Sequence, residues 1–227
     1  MRSLHSLSVL AVCTLASVLL LSACGDREGE APSEEFSWPA GWPSVQARTM
    51  EAGYLPTPYS SEQLRDSTPD RMRAYYRVDE TQQEAHIVVF AFDECDEHSL
   101  VLTIGQLDME EKIAGVPQAR KMTWKDLQAH HSVAAQGTVL TRERITVPAG
   151  TFDCVLYTTT RATQGDGPED QAGEGSEQDG AEGESTVEQF WFSLGAPGPF
   201  VRRLTTVGGE TVREMALVRV DSGSEDK

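Results

Sequence analysis

From residue 71 onward, short runs of β-branched and aromatic side chains are separated by polar turn residues. That spacing predicts an antiparallel sheet. Residues 71–78 (RMRAYYRV), 86–92 (HIVVFAF) and 99–107 predict three strands, the last with Leu100, Leu102 and Ile104 on one face. Residues 138–147 and 152–161 predict a hairpin turning through Pro148-Ala149-Gly150, where proline followed by glycine is turn chemistry. Residues 186–194, 200–207 and 210–220 continue the meander, the last two joined by the two-residue loop Gly208-Gly209. The total is about eight strands.

Two helical signals interrupt this pattern. Ser60 and Gln63 have capping-box spacing ahead of Leu64, and Thr123 and Asp126 repeat it ahead of Leu127. In the second helix Trp124, Leu127 and His131 fall on one face, and the helix is expected to fade near Ser132. Several strands are apolar on both faces: Ile87, Val89 and Ala91 oppose Val88, Phe90 and Phe92, and Trp191 opposes Phe190 and Phe192. A sheet covered on one side alternates more cleanly. Something must therefore cover part of the second face, either the helix at Trp124 or a ligand.

The N-terminal 24 residues follow a different rule. After Arg2, residues 7–21 form an uncharged apolar run ending in Leu21-Ser22-Ala23-Cys24. The run is short for a bilayer span of about 20 residues and has the length of a signal-peptide core. Its end resembles the bacterial lipobox. That resemblance implies cleavage of signal peptide 1–23 and acylation of Cys24, with the membrane as partner through the acyl chains. Two or three chains anchor stably, each buried methylene contributing about 0.8 kcal/mol. Gly25 and Asp26 follow the cysteine and leave inner and outer membrane both open.

Residues 24–35 then read as a lipidated, acidic, flexible tether. The aromatic stretch Phe36, Trp38 and Trp42 either docks on the domain or meets an envelope protein partner. A single domain is expected over 36–220, with a short polar tail at 221–227. Inside it, residues 162–188 carry nine acidic and no basic side chains, a composition that predicts a disordered insert. The net charge of −17 thus sits mostly in solvated segments. It argues against nucleic-acid binding, which needs a basic face, and, sitting mostly in solvated segments, says little about the binding surface.

Beyond the signal and Cys24, two cysteines remain. An even pair in an oxidising compartment predicts a disulfide between Cys95 and Cys154, with metal ligation or free thiols as the alternatives. Glu94, Asp96 and His98 share a face in extended geometry, but the bland reading is a solvated loop, and no metal site is assigned. His130 and His131 diverge by about 100° on a helix. Arg202 and Arg203 point to opposite faces of a strand, so one of them can face an anionic headgroup. No nucleophile motif, phosphate loop, zinc motif or dinucleotide fingerprint occurs, which predicts a non-catalytic protein without a cofactor.

The strings ITVPAGTFDCVLY, EQFWFSLGAPGPFVRR and a last strand ending ALVRV resemble bacterial lipoprotein domains of the LolA/LolB-like half-barrel group. The resemblance covers mainly 138–220. It implies an α+β fold: a strongly curved antiparallel meander sheet, a half-barrel, with one or two helices on its concave face. Phe90, Leu102, Trp191, Phe192 and Leu204 then become the expected lining of a site for a lipid or other apolar ligand.

Overall fold

The computed structural model describes residues 36–162 and 184–223. The signal peptide, Cys24, the tether, most of the acidic insert and the end of the tail lie outside the described residues. Nine strands follow one another: β1 Met72–Glu80, β2 His86–Asp93, β3 Ser99–Leu107, β4 Gln118–Thr123, β5 Thr138–Val147, β6 Gly150–Ala162, β7 Ser185–Ser193, β8 Arg202–Val207 and β9 Glu210–Asp221. Three short helices accompany them among the described residues: α1 Val45–Arg48, α2 Ser61–Ser67 and α3 Trp124–Ala129. No helix among the described residues is long and apolar enough to cross a membrane.

All nine strands form one antiparallel sheet in the order β4-β3-β2-β1-β9-β8-β7-β6-β5. Two meanders, β1–β4 and β5–β9, are zipped together where β1 pairs with β9. The link from β4 to β5 therefore joins the two edge strands, and the segment carrying α3 has to cross a face of the sheet. The sheet curls without closing. The β5–β6 turn reaches back to β9, where Ala149 N–H donates to the Leu217 carbonyl at 3.1 Å. Register shifts at Tyr75/Tyr76 and Thr205/Thr206 add local bends.

The turns form as their residues dictate. Gly208 and Gly209 have φ of 58° and 85°, the left-handed pair that a tight hairpin requires. Both capping boxes are made: Ser60 Oγ accepts from Gln63 N at 3.3 Å, and Thr123 Oγ1 accepts from Asp126 N at 3.1 Å.

Several expectations need correction. Among the described residues there are nine strands, because β4 (QARKMT) is a polar edge that buries Met122 alone and shows no apolar period. Its Arg120 and Lys121 are the charges that protect an open edge. Among the described residues there are three helices, since Ser44 caps the single turn α1, and α3 ends at Ala129, before Ser132. The acidic insert is shorter than 162–188: β6 runs through Ala162 and β7 begins at Ser185, with Ala162 paired to Ser185. Asp221, placed in the tail, is the last residue of β9.

The disulfide is absent as well: Cys95 and Cys154 are both free thiols. Alternation on β6 sends Cys154 to the face away from Val155 and Tyr157, into a different apolar cluster from the one Cys95 packs against. Burial pushes the Cys95 thiol up to about 11 and the Cys154 thiol up to about 12, so both stay protonated and unreactive near neutral pH.

The core has two parts. The first joins Tyr59, Leu64 and Met72 to Phe92, Leu100, Trp124, Tyr157 and Phe192, under α2, α3 and the segment leading to α2. The second gathers Ala74, Tyr76 and Val78 with Ile145, Leu156, Trp191 and Leu217. The N-terminal aromatics dock inward: Trp38 lies 6.3 Å from Trp42, which lies 6.4 Å from Tyr59, and Trp42 Nε1 donates to the Pro58 carbonyl at 3.0 Å. Docking accounts for the two-faced apolar strands without invoking a ligand over most of the sheet.

Candidate functional site: an apolar cleft between the two meanders

Beside α3 the cover stops, and a cleft of about 690 Å³ remains. Its walls come from both meanders. Phe90 on β2 with Leu102 and Ile104 on β3 form one side, and Phe190 on β7, Phe200 just ahead of β8 and Arg203 on β8 form the other. Strands far apart in the sheet order meet there because the sheet curls. Leu127, His130 and His131, at and just beyond the end of α3, close one end, and Arg120 and Met122 of β4 contribute the edge.

The floor is aromatic. Tyr76 packs against Phe90 at 5.3 Å and Phe200 at 4.8 Å between ring centroids, and its hydroxyl donates to the Phe200 carbonyl at 2.6 Å. Phe190 stacks on Phe192 at 6.5 Å, and the His131 ring meets Phe192 at 5.3 Å. Ile104 is 42% exposed, a large aliphatic side chain left open on the cleft wall.

Of the five side chains expected to line a site, Phe90 and Leu102 do so. Phe192 lies one layer deeper, 2% exposed and wedged among Tyr59, Tyr157 and His131. Trp191 points to the other face of β7, where its Nε1 donates to Glu143 Oε2 at 2.7 Å and the Arg202 guanidinium rests 5.2 Å from its ring. Leu204 packs on the second cluster, away from the cleft. The missed members include Ile104, Phe190, Phe200 and Arg203. Strand parity from Phe192 would have found Phe190, and the Phe190–Arg203 cross-strand pair then places Arg203 on the same face.

Of the adjacent pair Arg202 and Arg203, Arg203 is the one that faces the cleft. Its Nη2 donates to Glu188 Oε1 at 2.7 Å, and its guanidinium lies 5.0 Å from the Phe190 ring. Its Nε is buried and has no hydrogen-bond partner, and the same holds for His131 Nδ1. Burial, aided by the neighbouring His130 charge, pulls the His131 imidazole down to about 4, so the ring is neutral at pH 7.

The other polar candidates are committed elsewhere. Asp96 accepts from the backbone N–H of His98 and of Ser99, each at 2.7 Å, and so shapes the β2–β3 loop. These two bonds hold its carboxyl below the usual range. Among the described residues, no group of three metal-ligating side chains is placed to hold an ion. Arg202 pairs with Glu214 at 2.9 Å on the opposite face.

No family model matches the chain, and no curated protein matches it. The half-barrel resemblance therefore rests on the hairpin strings alone. Among solved structures the chain is similar to a "putative lipoprotein" from Parabacteroides distasonis ATCC 8503. The identity is 11% and the TM-score 0.44, over 68% of this chain and 97% of that one. A likeness of that size transfers nothing about function.

Proposed function

We propose that the chain is a non-catalytic lipoprotein of the bacterial cell envelope, tethered through acylated Cys24, that holds an apolar ligand in the cleft between its two meanders. The observation that carries the binding role is the cleft itself. About 690 Å³ walled by Phe90, Leu102, Ile104, Phe190 and Phe200 lies within the range of small-molecule sites. A protein with no use for that space would gain by filling it, since burying apolar area stabilises by about 25 cal/mol per Å². The lipobox-like Leu21-Ser22-Ala23-Cys24 supports the envelope location. The alternative, an interaction or structural subunit of an envelope complex, is motivated by the lipid anchor, the tether and the Trp38/Trp42 segment, and those two tryptophans pack inward against the core.

Mass spectrometry of the protein isolated from membranes tests both halves. The expected intact mass is that of a chain beginning at Cys24 and carrying acyl groups, with a non-covalent apolar adduct under native conditions. Cys24→Ser should abolish both cleavage before residue 24 and acylation while retaining the adduct. An unmodified Cys24 would contradict the anchor, and a clean apo spectrum would contradict the ligand.

A further inference from the structure

We propose that the cleft selects a single-chain amphiphile with an anionic head, the head seated on Arg203 and the tail lying along Phe90, Leu102 and Phe200. The proposal rests on the reading that the cleft holds an apolar ligand and adds the chemistry of its polar end.

Three observations carry it. The first is the sign of the charge around the cleft. The chain has 36 acidic side chains, yet the described residues lining this cleft include Arg120 and Arg203 and no carboxylate, with Glu188, outside the lining, pairing with Arg203. The second is a pair of unmet polar atoms, Arg203 Nε and His131 Nδ1, both in residues that line the same space. Buried polar atoms in folded proteins are nearly always hydrogen-bonded, so an exception calls for a partner. A ligand carboxylate or phosphate oxygen would supply one to the guanidinium.

The third is preorganisation. Glu188 takes Arg203 Nη2, and the Phe190 ring supports the guanidinium plane. The guanidinium is thus held through Nη2 while the side chain stays one-third exposed at the cleft, which lowers the entropic cost of binding an anion. The volume admits one small ligand. A fatty acid and an alkyl phosphate share the required chemistry, and the test separates them.

The test is displacement of a hydrophobic dye from the full chain carrying Cys24→Ser, using dodecanoate, dodecyl phosphate, dodecanol and dodecyltrimethylammonium. At least one of the two anions should bind about tenfold more tightly than dodecanol, and the cation more weakly than dodecanol. Which anion binds better identifies a carboxylate or a phosphate source. Arg203→Gln should reduce the preference for anions over dodecanol to about threefold or less, with Arg203→Lys restoring part of it. Arg120→Gln, on the exposed edge strand, is a second variant free of folding effects and should weaken the anions alone. Equal binding of dodecanol and both anions would overturn the headgroup assignment while leaving the apolar cleft intact. Failure of all four to displace the dye would remove the ligand reading with it.

Discussion

Arg48→Ala is expected to destabilise the fold by about 3 kcal/mol, read as a lower midpoint in urea with an unchanged slope. Arg48 is fully buried. Its Nε donates to the Pro43 carbonyl at 3.0 Å and its Nη1 to the Thr57 carbonyl at 2.8 Å. The guanidinium lies 3.7 Å from the Trp38 ring centroid. Thr57 returns the contact, donating both its N–H and its hydroxyl to the Arg48 carbonyl. Alanine would leave the buried Thr57 carbonyl and the part-buried Pro43 carbonyl without this donor and remove the platform under Trp38, so the whole aromatic segment from Phe36 to Tyr59 would loosen.

Burial lowers the Arg48 pKa to about 10, a sign that the charge itself is held at a cost. Arg48→Met keeps much of the volume and removes that cost, so it should destabilise by less than Arg48→Ala. Equal losses in the two variants would mean that the hydrogen bonds alone set the energy.

The second large effect is acid destabilisation through His131. Its folded pKa of about 4 lies below the ordinary value of 6.5. Between these pH values the unfolded chain binds a proton that the folded chain refuses, so stability falls as pH drops from 6.5 to 4. The shift corresponds to a loss of up to about 3 kcal/mol, complete below the folded pKa. The carboxylates act lower: Glu62, Asp96 and Asp126 have depressed pKa values and lose their contributions as pH falls through them. His131→Phe retains an aromatic ring against Tyr59 and Phe192 and should flatten the profile between pH 6.5 and 4 while leaving the steeper fall below it. Thermal melts at half-unit pH steps on both proteins measure the difference.

Much of this architecture is legible in the sequence, and the parts that are not share a cause. Strands such as HIVVFAF and TVEQFWFS announce themselves because they are buried on both faces, and the Gly208-Gly209 loop fixes its own hairpin. Strand β4 is silent because an edge strand has little to bury. Arg48 reads as a surface charge in sequence, since its burial depends on carbonyls at Pro43 and Thr57 that only the folded chain brings together. The cysteine pair misleads because counting thiols says nothing of which cluster each strand position faces.

The cleft is half legible for the same reason. Phe90 and Leu102 lie on strands whose inner face is plain from alternation. In the FWF run, by contrast, three successive aromatics hide which face is inner. The packed pair of Tyr59 and Tyr157 against Phe192 decides it, and that contact spans the chain from residue 59 to 192.

The central claim is that this cleft, and not a general greasy surface, takes up an apolar molecule. Titration of N-phenyl-1-naphthylamine into the purified full chain carrying Cys24→Ser, beside the same protein with Leu102→Trp, tests it most directly. Leu102 sits on the cleft wall, so a larger side chain there fills the space from one side. The account predicts saturable, single-site fluorescence enhancement in the first protein and its loss in the second, with equal thermal stability in both. No enhancement in the first protein, or the same enhancement in both, would contradict it.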